Sequence, residues 1–232
     1  MRKVVSVLFL CGIGLWSTSQ AKAASICDST SGNIVTNCGF ESGSFSGWSV
    51  TGNLYGGIDG NYVGVDNGNP NSGNYEAYFG APSEYGQTNS GDKYGPVTTL
   101  SQTVAALPAQ YYEVSFYLDN NGCSVSDNPG CGDYYNYFDA YFDGVLLTKQ
   151  YNIPYSGAYD EYVFVVPTTG GMNPYNSNLL QFDFTNDDDY FYFDDVTVTS
   201  LGATPEPASF LLVAPVLGGL WLARRRRKLS QQ

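Results

Sequence analysis

The chain has 232 residues, with 22 acidic side chains, ten basic ones and no histidine. That composition excludes Ser-His-Asp and Cys-His catalysis, a histidine general base and a histidine zinc site. Eight of the ten basic residues lie in the first 22 and last nine positions, so the span 24–203 keeps only Lys93 and Lys149 against 21 acids, a net charge of −19 with no arginine. Such a body repels nucleic acid and anionic lipid, and it has no bidentate clamp for phosphate or carboxylate.

In chain order, Arg2 and Lys3 open a stretch that is apolar from Val4 to Trp16 and then polar up to Ala21-Lys22-Ala23. This reads as a secretory signal peptide (residues 1–23), cut between Ala23 and Ala24. The body, residues 24–203, suits one domain. Its four cysteines are Cys27, Cys38, Cys123 and Cys131. An even number in an exported chain points to two disulfides. Of the three possible pairings, the local one, Cys27 with Cys38 and Cys123 with Cys131, is the simplest.

No helical periodicity runs through the body, whereas period-2 alternation recurs. In Tyr112–Asp119 the residues Val114, Phe116 and Leu118 alternate with polar ones. In Tyr137–Asp143, Phe138, Ala140 and Phe142 alternate with Tyr137, Asp139 and Tyr141. In Leu180–Thr185, Leu180, Phe182 and Phe184 alternate with Gln181 and Asp183. Further strands are predicted at Tyr62–Val65, Tyr75–Phe79, Thr98–Val104, Val145–Lys149, Glu161–Val166 and Phe191–Thr199. Asp143-Gly144 is a hairpin turn between two of these runs. Short strands separated by Asn, Gly, Asp, Pro and Ser predict an all-β fold, an antiparallel jelly-roll β-sandwich.

In two of the most regular strands Phe takes the inner face and Tyr the outer. A flat ring stacks on the apolar face of a sugar while neighbouring Asp and Asn bond its hydroxyls. Tyr117, Tyr134, Tyr135, Asn136, Tyr137 and Tyr141 are therefore the candidate ligand platform, expected together on one concave face. Trp48 reads as core packing. Paired acids such as Asp139 and Asp143 raise a glycosidase reading, which no accompanying motif supports. No catalytic residue is assigned.

The end of the chain has three parts: Pro205-Glu206-Pro207, an apolar span from Ala208 to Ala223, and Arg224-Arg225-Arg226-Arg227-Lys228. The prolines break any helix or strand. The span approaches the length of a transmembrane helix, and the five cations act as a cytoplasmic stop. This tail, residues 204–228, resembles the PEP-CTERM sorting signal of Gram-negative bacteria, with Thr204 where that family usually has valine. The resemblance implies processing by an exosortase, passage through an inner-membrane intermediate, and release to the cell surface or extracellular matrix.

The body also resembles a family. Asn37-Cys38-Gly39-Phe40-Glu41-Ser42-Gly43 with Gly47-Trp48, then Ser72-Gly73-Asn74-Tyr75-Glu76-Ala77, then Leu100–Val104, Tyr112–Phe116, Phe142-Asp143-Gly144 and Phe191–Val196 resemble, in order, the segments of carbohydrate-binding modules with a galactose-binding-like jelly roll. The resemblance implies a non-catalytic domain that associates with extracellular polysaccharide, or a purely structural matrix domain of the same fold. It also implies a structural Ca²⁺ between the first and last strands, carried by Glu41 and the pair Asp194 and Asp195. Adjacent strand residues point to opposite faces. Asp195, on the face of Phe191 and Phe193, is therefore the expected side-chain donor.

Overall fold

Alternation decides which side of each strand is buried, and the strands assemble accordingly. In the computed structural model, which describes residues 24–54, 58, 62–80, 97–122, 136–168, 178–186 and 189–203, one short helix, α1 (Ile26–Ser29), precedes ten strands. These are β1 (Ser49–Gly52), β2 (Val63–Asp66), β3 (Glu76–Phe79), β4 (Thr98–Thr103), β5 (Gln110–Asn120), β6 (Asn136–Phe142), β7 (Val145–Tyr151), β8 (Asp160–Pro167), β9 (Leu179–Asn186) and β10 (Phe191–Ala203). All nine predicted strands are present. The turn between β6 and β7 has positive φ at both Asp143 (50°) and Gly144 (77°), as a two-residue hairpin of this hand requires.

The strands form two five-stranded antiparallel sheets, ordered β1-β4-β9-β6-β7 (sheet 1) and β2-β3-β10-β5-β8 (sheet 2). Their facing sides are filled by phenylalanine. Phe116 of sheet 2 meets Phe182 of sheet 1 at 5.1 Å between ring centres, Phe193 meets Phe182 at 4.6 Å, and Phe79 stacks on Phe184 at 4.0 Å. All five are essentially unexposed. Each ring brings a large apolar area out of water, and staggered or edge-on ring pairs add to that gain. Trp48 is buried as expected, stacked on Phe40, with its indole N–H donating to the Asn37 carbonyl.

A segment before β1 closes one side of the sandwich. The Ile34 N–H donates to the Val198 carbonyl, the Val196 N–H to the Cys38 carbonyl, and the Asn33 side chain bridges the Val196 carbonyl and the Val198 N–H. The Cys27–Cys38 disulfide, with Cα atoms 5.9 Å apart, fixes this segment, as local pairing anticipates. Residues 1–23, Cys123, Cys131, Tyr134, Tyr135, Pro205-Glu206-Pro207 and Arg224–Lys228 lie outside the described residues. Among the described residues no helix is long and apolar enough to cross a membrane.

Candidate functional site

The outer face of sheet 1 carries the strongest site. Register places Thr51, Thr99, Asp183, Asp139 and Lys149 in one row across β1, β4, β9, β6 and β7. A second row holds Ser49, Ser101, Gln181, Tyr141 and Leu146. Beside Asp139, Thr185, Tyr137 and Tyr151 form a third. Each row is a set of cross-strand neighbours within side-chain reach.

Hydrogen bonds tie these rows together. The hydroxyls of Tyr137 and Tyr141 both donate to Oδ2 of Asp139, the latter at 2.8 Å. Thr99 Oγ1 donates to Asp183 Oδ1 at 2.5 Å, and Gln181 Nε2 to Asp183 Oδ2 at 3.0 Å. Asp139 is 1% exposed, and its Oδ1 is buried without a hydrogen-bond partner. Burial raises its pKa, and the neighbouring Asp183 carboxyl raises it further against the lowering effect of the two phenols. Burial, together with the bond to Asp139, pushes Tyr141 up to about 12, so its hydroxyl is a firm donor at neutral pH. The Lys149 ammonium lies 5.2 Å from the Tyr137 ring centre and 5.5 Å from that of Tyr151, a cation–π arrangement. A depression of about 210 Å³ opens beside these groups, lined by Tyr141, Gly144, Leu179, Gln181 and Asp183.

The expected platform is therefore divided. Asn136, Tyr137 and Tyr141 lie on β6. Tyr137 and Tyr141 share the outer face, but Asn136 is buried and binds Ile153 through both its carbonyl and its amide. Tyr137 is also nearly buried, leaving Tyr141 and the exposed Tyr151 as the rings a ligand reaches. Tyr117 lies on β5 opposite Asp194 and Glu161, on the outer face of sheet 2 and hence on the far side of the molecule. Asp143 sits at the β6–β7 turn, accepting the Asn178 N–H; the acid beside Asp139 is Asp183. Gln181, Asp183, Thr99, Lys149 and Tyr151 were not predicted as site residues. Gln181 and Asp183 stand at the polar positions of the Leu180–Thr185 alternation, which was their available signal.

The acids expected to hold calcium converge on one loop, residues 71–75, as acceptors. Glu41 takes the N–H groups of Asn74 (2.7 Å) and Tyr75 (3.0 Å) on Oε1 and the Asn74 amide on Oε2. Asp194 Oδ2 takes the N–H groups of Asn71 and Ser72, and its Oδ1 takes that of Asp195. Asp195 takes the Cys27 N–H, the Asn71 amide and the Ser72 hydroxyl. The two aspartates do not point to opposite faces. Asp195 has φ 50°, and the β10–β5 register shifts between Asp194 and Thr197. This bulge takes Asp195 off the face of Phe193 and aims both carboxylates at the same loop. No oxygen of the three acids is left buried and unpartnered. As arranged, they fit a loop clamp better than a metal, because a cation would have to displace N–H donors. Burial nevertheless raises Asp194 to about 8, with Asp195 adding like-charge repulsion.

No protein-family model matches the chain, and no curated protein matches it. Solved structures similar to it include the enzymatically active domain of bacteriophage CBA120 tailspike protein 4, at 15% identity and TM-score 0.46, covering 73% of this chain and 22% of that one. TmCBM61 in complex with β-1,4-galactotriose is 19% identical at TM-score 0.43, covering 72% and 98%. A Stig cyclase, Fisc, from Fischerella sp. TAU is 18% identical at TM-score 0.46, covering 78% and 100%. The chain thus spans about a fifth of the tailspike chain and nearly all of the other two. Likeness at this level does not transfer a ligand or an activity to this chain.

Proposed function

We propose that this is an exported, non-catalytic carbohydrate-binding protein of the cell surface or extracellular matrix, which holds polysaccharide on the outer face of sheet 1. The observation that carries this reading is the depression beside Tyr141, where ring faces adjoin the side chains of Gln181, Asp183 and Thr99. A sugar offers an apolar face to a ring and hydroxyls to such amides and carboxylates. The net charge of −19 over residues 24–203 disfavours uronate or sulfate polymers by like-charge repulsion, so a neutral glycan is the expected ligand. The sequence features of the two ends supply the rest of the reading: secretion, then exosortase processing at Pro205-Glu206-Pro207.

Glycan-array binding followed by affinity electrophoresis in neutral and anionic polysaccharides tests the proposal. Tyr141→Ala and Asp183→Ala should each weaken retention at least tenfold, while Tyr117→Ala, on the opposite face, should leave it unchanged. Equal retention of Tyr141→Ala and the parent protein would sink the sheet 1 site.

A further inference from the structure

The outer face of sheet 2 is a second, different place. Register pairs Asp66 with Glu76, sets Asp194, Tyr117 and Glu161 in one row, and sets Tyr78, Tyr192 and Asp119 in another. The loop between β2 and β3 folds over these acids. The Asn69 N–H donates to Glu76 Oε1 at 2.6 Å and its amide to Asp119 Oδ2 at 3.1 Å, while the Gly68 N–H donates to Asp66 Oδ1 at 3.0 Å. Gly68 sits between two of the carboxylates. A Cβ there would lie 3.4 Å from Asp66 Oδ1 and 3.7 Å from Glu76 Oε1.

Buried charge without a counter-charge is costly. Glu76 is 0% exposed and Asp119 3%. Of the two lysines in the body, Lys149 is on the other sheet and Lys93 is outside the described residues. Two polar atoms at this place are buried without a hydrogen-bond partner: Glu76 Oε2 and the hydroxyl of Tyr159. Burial, and then the charges of Asp194, Glu76 and Asp119, raise the Tyr159 hydroxyl well above the usual phenol range. Asp66 is exposed and stands on the edge strand β2, giving an entry path. The covering loop, Asp66-Asn67-Gly68-Asn69-Pro70-Asn71, is rich in short oxygen-bearing side chains.

We propose that Glu76 and Asp66 hold a divalent, oxygen-seeking cation of the calcium class on this face, completed by Asp119 and by oxygens of the β2–β3 loop. A hard cation takes carboxylates, amide and peptide carbonyls and water together, so two facing carboxylates and an Asn-rich loop are an appropriate donor set. The ligands are distinct from Glu41 and Asp195. Asp66 Oδ1 and Glu76 Oε1 each accept one loop N–H, and Asp119 accepts the Asn69 amide and the Ser156 hydroxyl; what sets this place apart is the buried Glu76 Oε2, which has no donor. The one trio of Cys, Asp or Glu ligand atoms within 4.8 Å of one another among the described residues is Cys27, Asp28 and Cys38, whose two sulfurs are bonded to each other. Ligation here therefore draws Asp119 or the loop inward.

The test is terbium titration of the purified protein, since Tyr78 and Tyr192 on the same face sensitise a lanthanide, followed by competition with Ca²⁺. The expected result is saturable emission that Ca²⁺ removes. Glu76→Gln should weaken it at least tenfold and Asp66→Asn severalfold, whereas Glu41→Gln leaves it within twofold. Melting curves in chelator establish that each variant is folded; should Glu76→Gln fail to fold, the exposed Asp66→Asn decides. Emission unchanged in Asp66→Asn and Glu76→Gln, emission lost only in Glu41→Gln, or no saturable emission from the parent protein overturns the proposal.

Discussion

Asp139 shows how a single residue can be tuned by its surroundings. Tyr137 and Tyr141 on its own strand donate to it, Asp183 on β9 faces it, and Lys149 is its register partner on β7, with its ammonium over the Tyr137 and Tyr151 rings. Burial holds the folded-state pKa above the ordinary carboxylate value. A group raised in this way contributes stability below its unfolded pKa, roughly 4, and that contribution is lost as pH rises through the folded value. Asp139→Asn cannot titrate. Urea denaturation at a series of pH values should therefore show the parent protein losing stability relative to this variant as pH climbs above about 4. Parallel profiles would mean that Asp139 does not hold its proton. The inward or outward direction of these residues was legible from period-2 alternation. Which sheet a strand joins was not, because alternation is the same in both. That is why Tyr117 was grouped with Tyr137 and Tyr141 although Phe116 and Phe138 face each other across the core and carry their neighbours to opposite sides.

At the scale of the element, the informative departures are backbone ones. Strand β1 carries a single large apolar residue, Val50, in Ser49–Gly52, so no alternation announced it. The bulge in β10 was hidden for a different reason. A positive φ at Asp195 is a property of a non-glycine residue held by contacts more than a hundred positions away, to Cys27, Asn71 and Ser72. The loop that these contacts hold depends on Gly73. It has φ +71°, and an added Cβ would run into the Glu41 carboxylate. Gly73→Ala combines a left-handed backbone with that clash, and should cost about 1–3 kcal/mol by denaturant unfolding. A change below a few tenths would show that the clamp on residues 71–75 is slack.

For the whole molecule, one layer of phenylalanine rings separates two polar faces of different chemistry. Sheet 1 presents a ring-and-amide surface, and sheet 2 an acid pair under a loop. Phe182, which meets Phe116, Phe193 and Trp48, is the central member of that layer. Phe182→Ala should cost about 3–5 kcal/mol, a loss measurable as a lower urea midpoint. The disulfide acts on the unfolded chain instead. Replacing Cys27 and Cys38 by serine should cost about 2–3 kcal/mol, with the denatured state rather than the sandwich bearing the change.

The bridge from Asn33 to Val196 and Val198 has a kinetic consequence. It joins the first segment of the sandwich to its last strand, and that strand lies inside sheet 2, between β3 and β5. Until β10 arrives, β3 and β5 each lack a neighbour, the early segment has nothing to lie against, and the rings that face Phe193 stay wet. Contacts this distant in sequence make for slow, all-or-none assembly. A chain synthesised from its N-terminus cannot complete this domain strand by strand as it emerges. It folds only after residue 200 has emerged, so a chain ended at Tyr190 should remain unfolded by circular dichroism even though it contains nine of the ten strands.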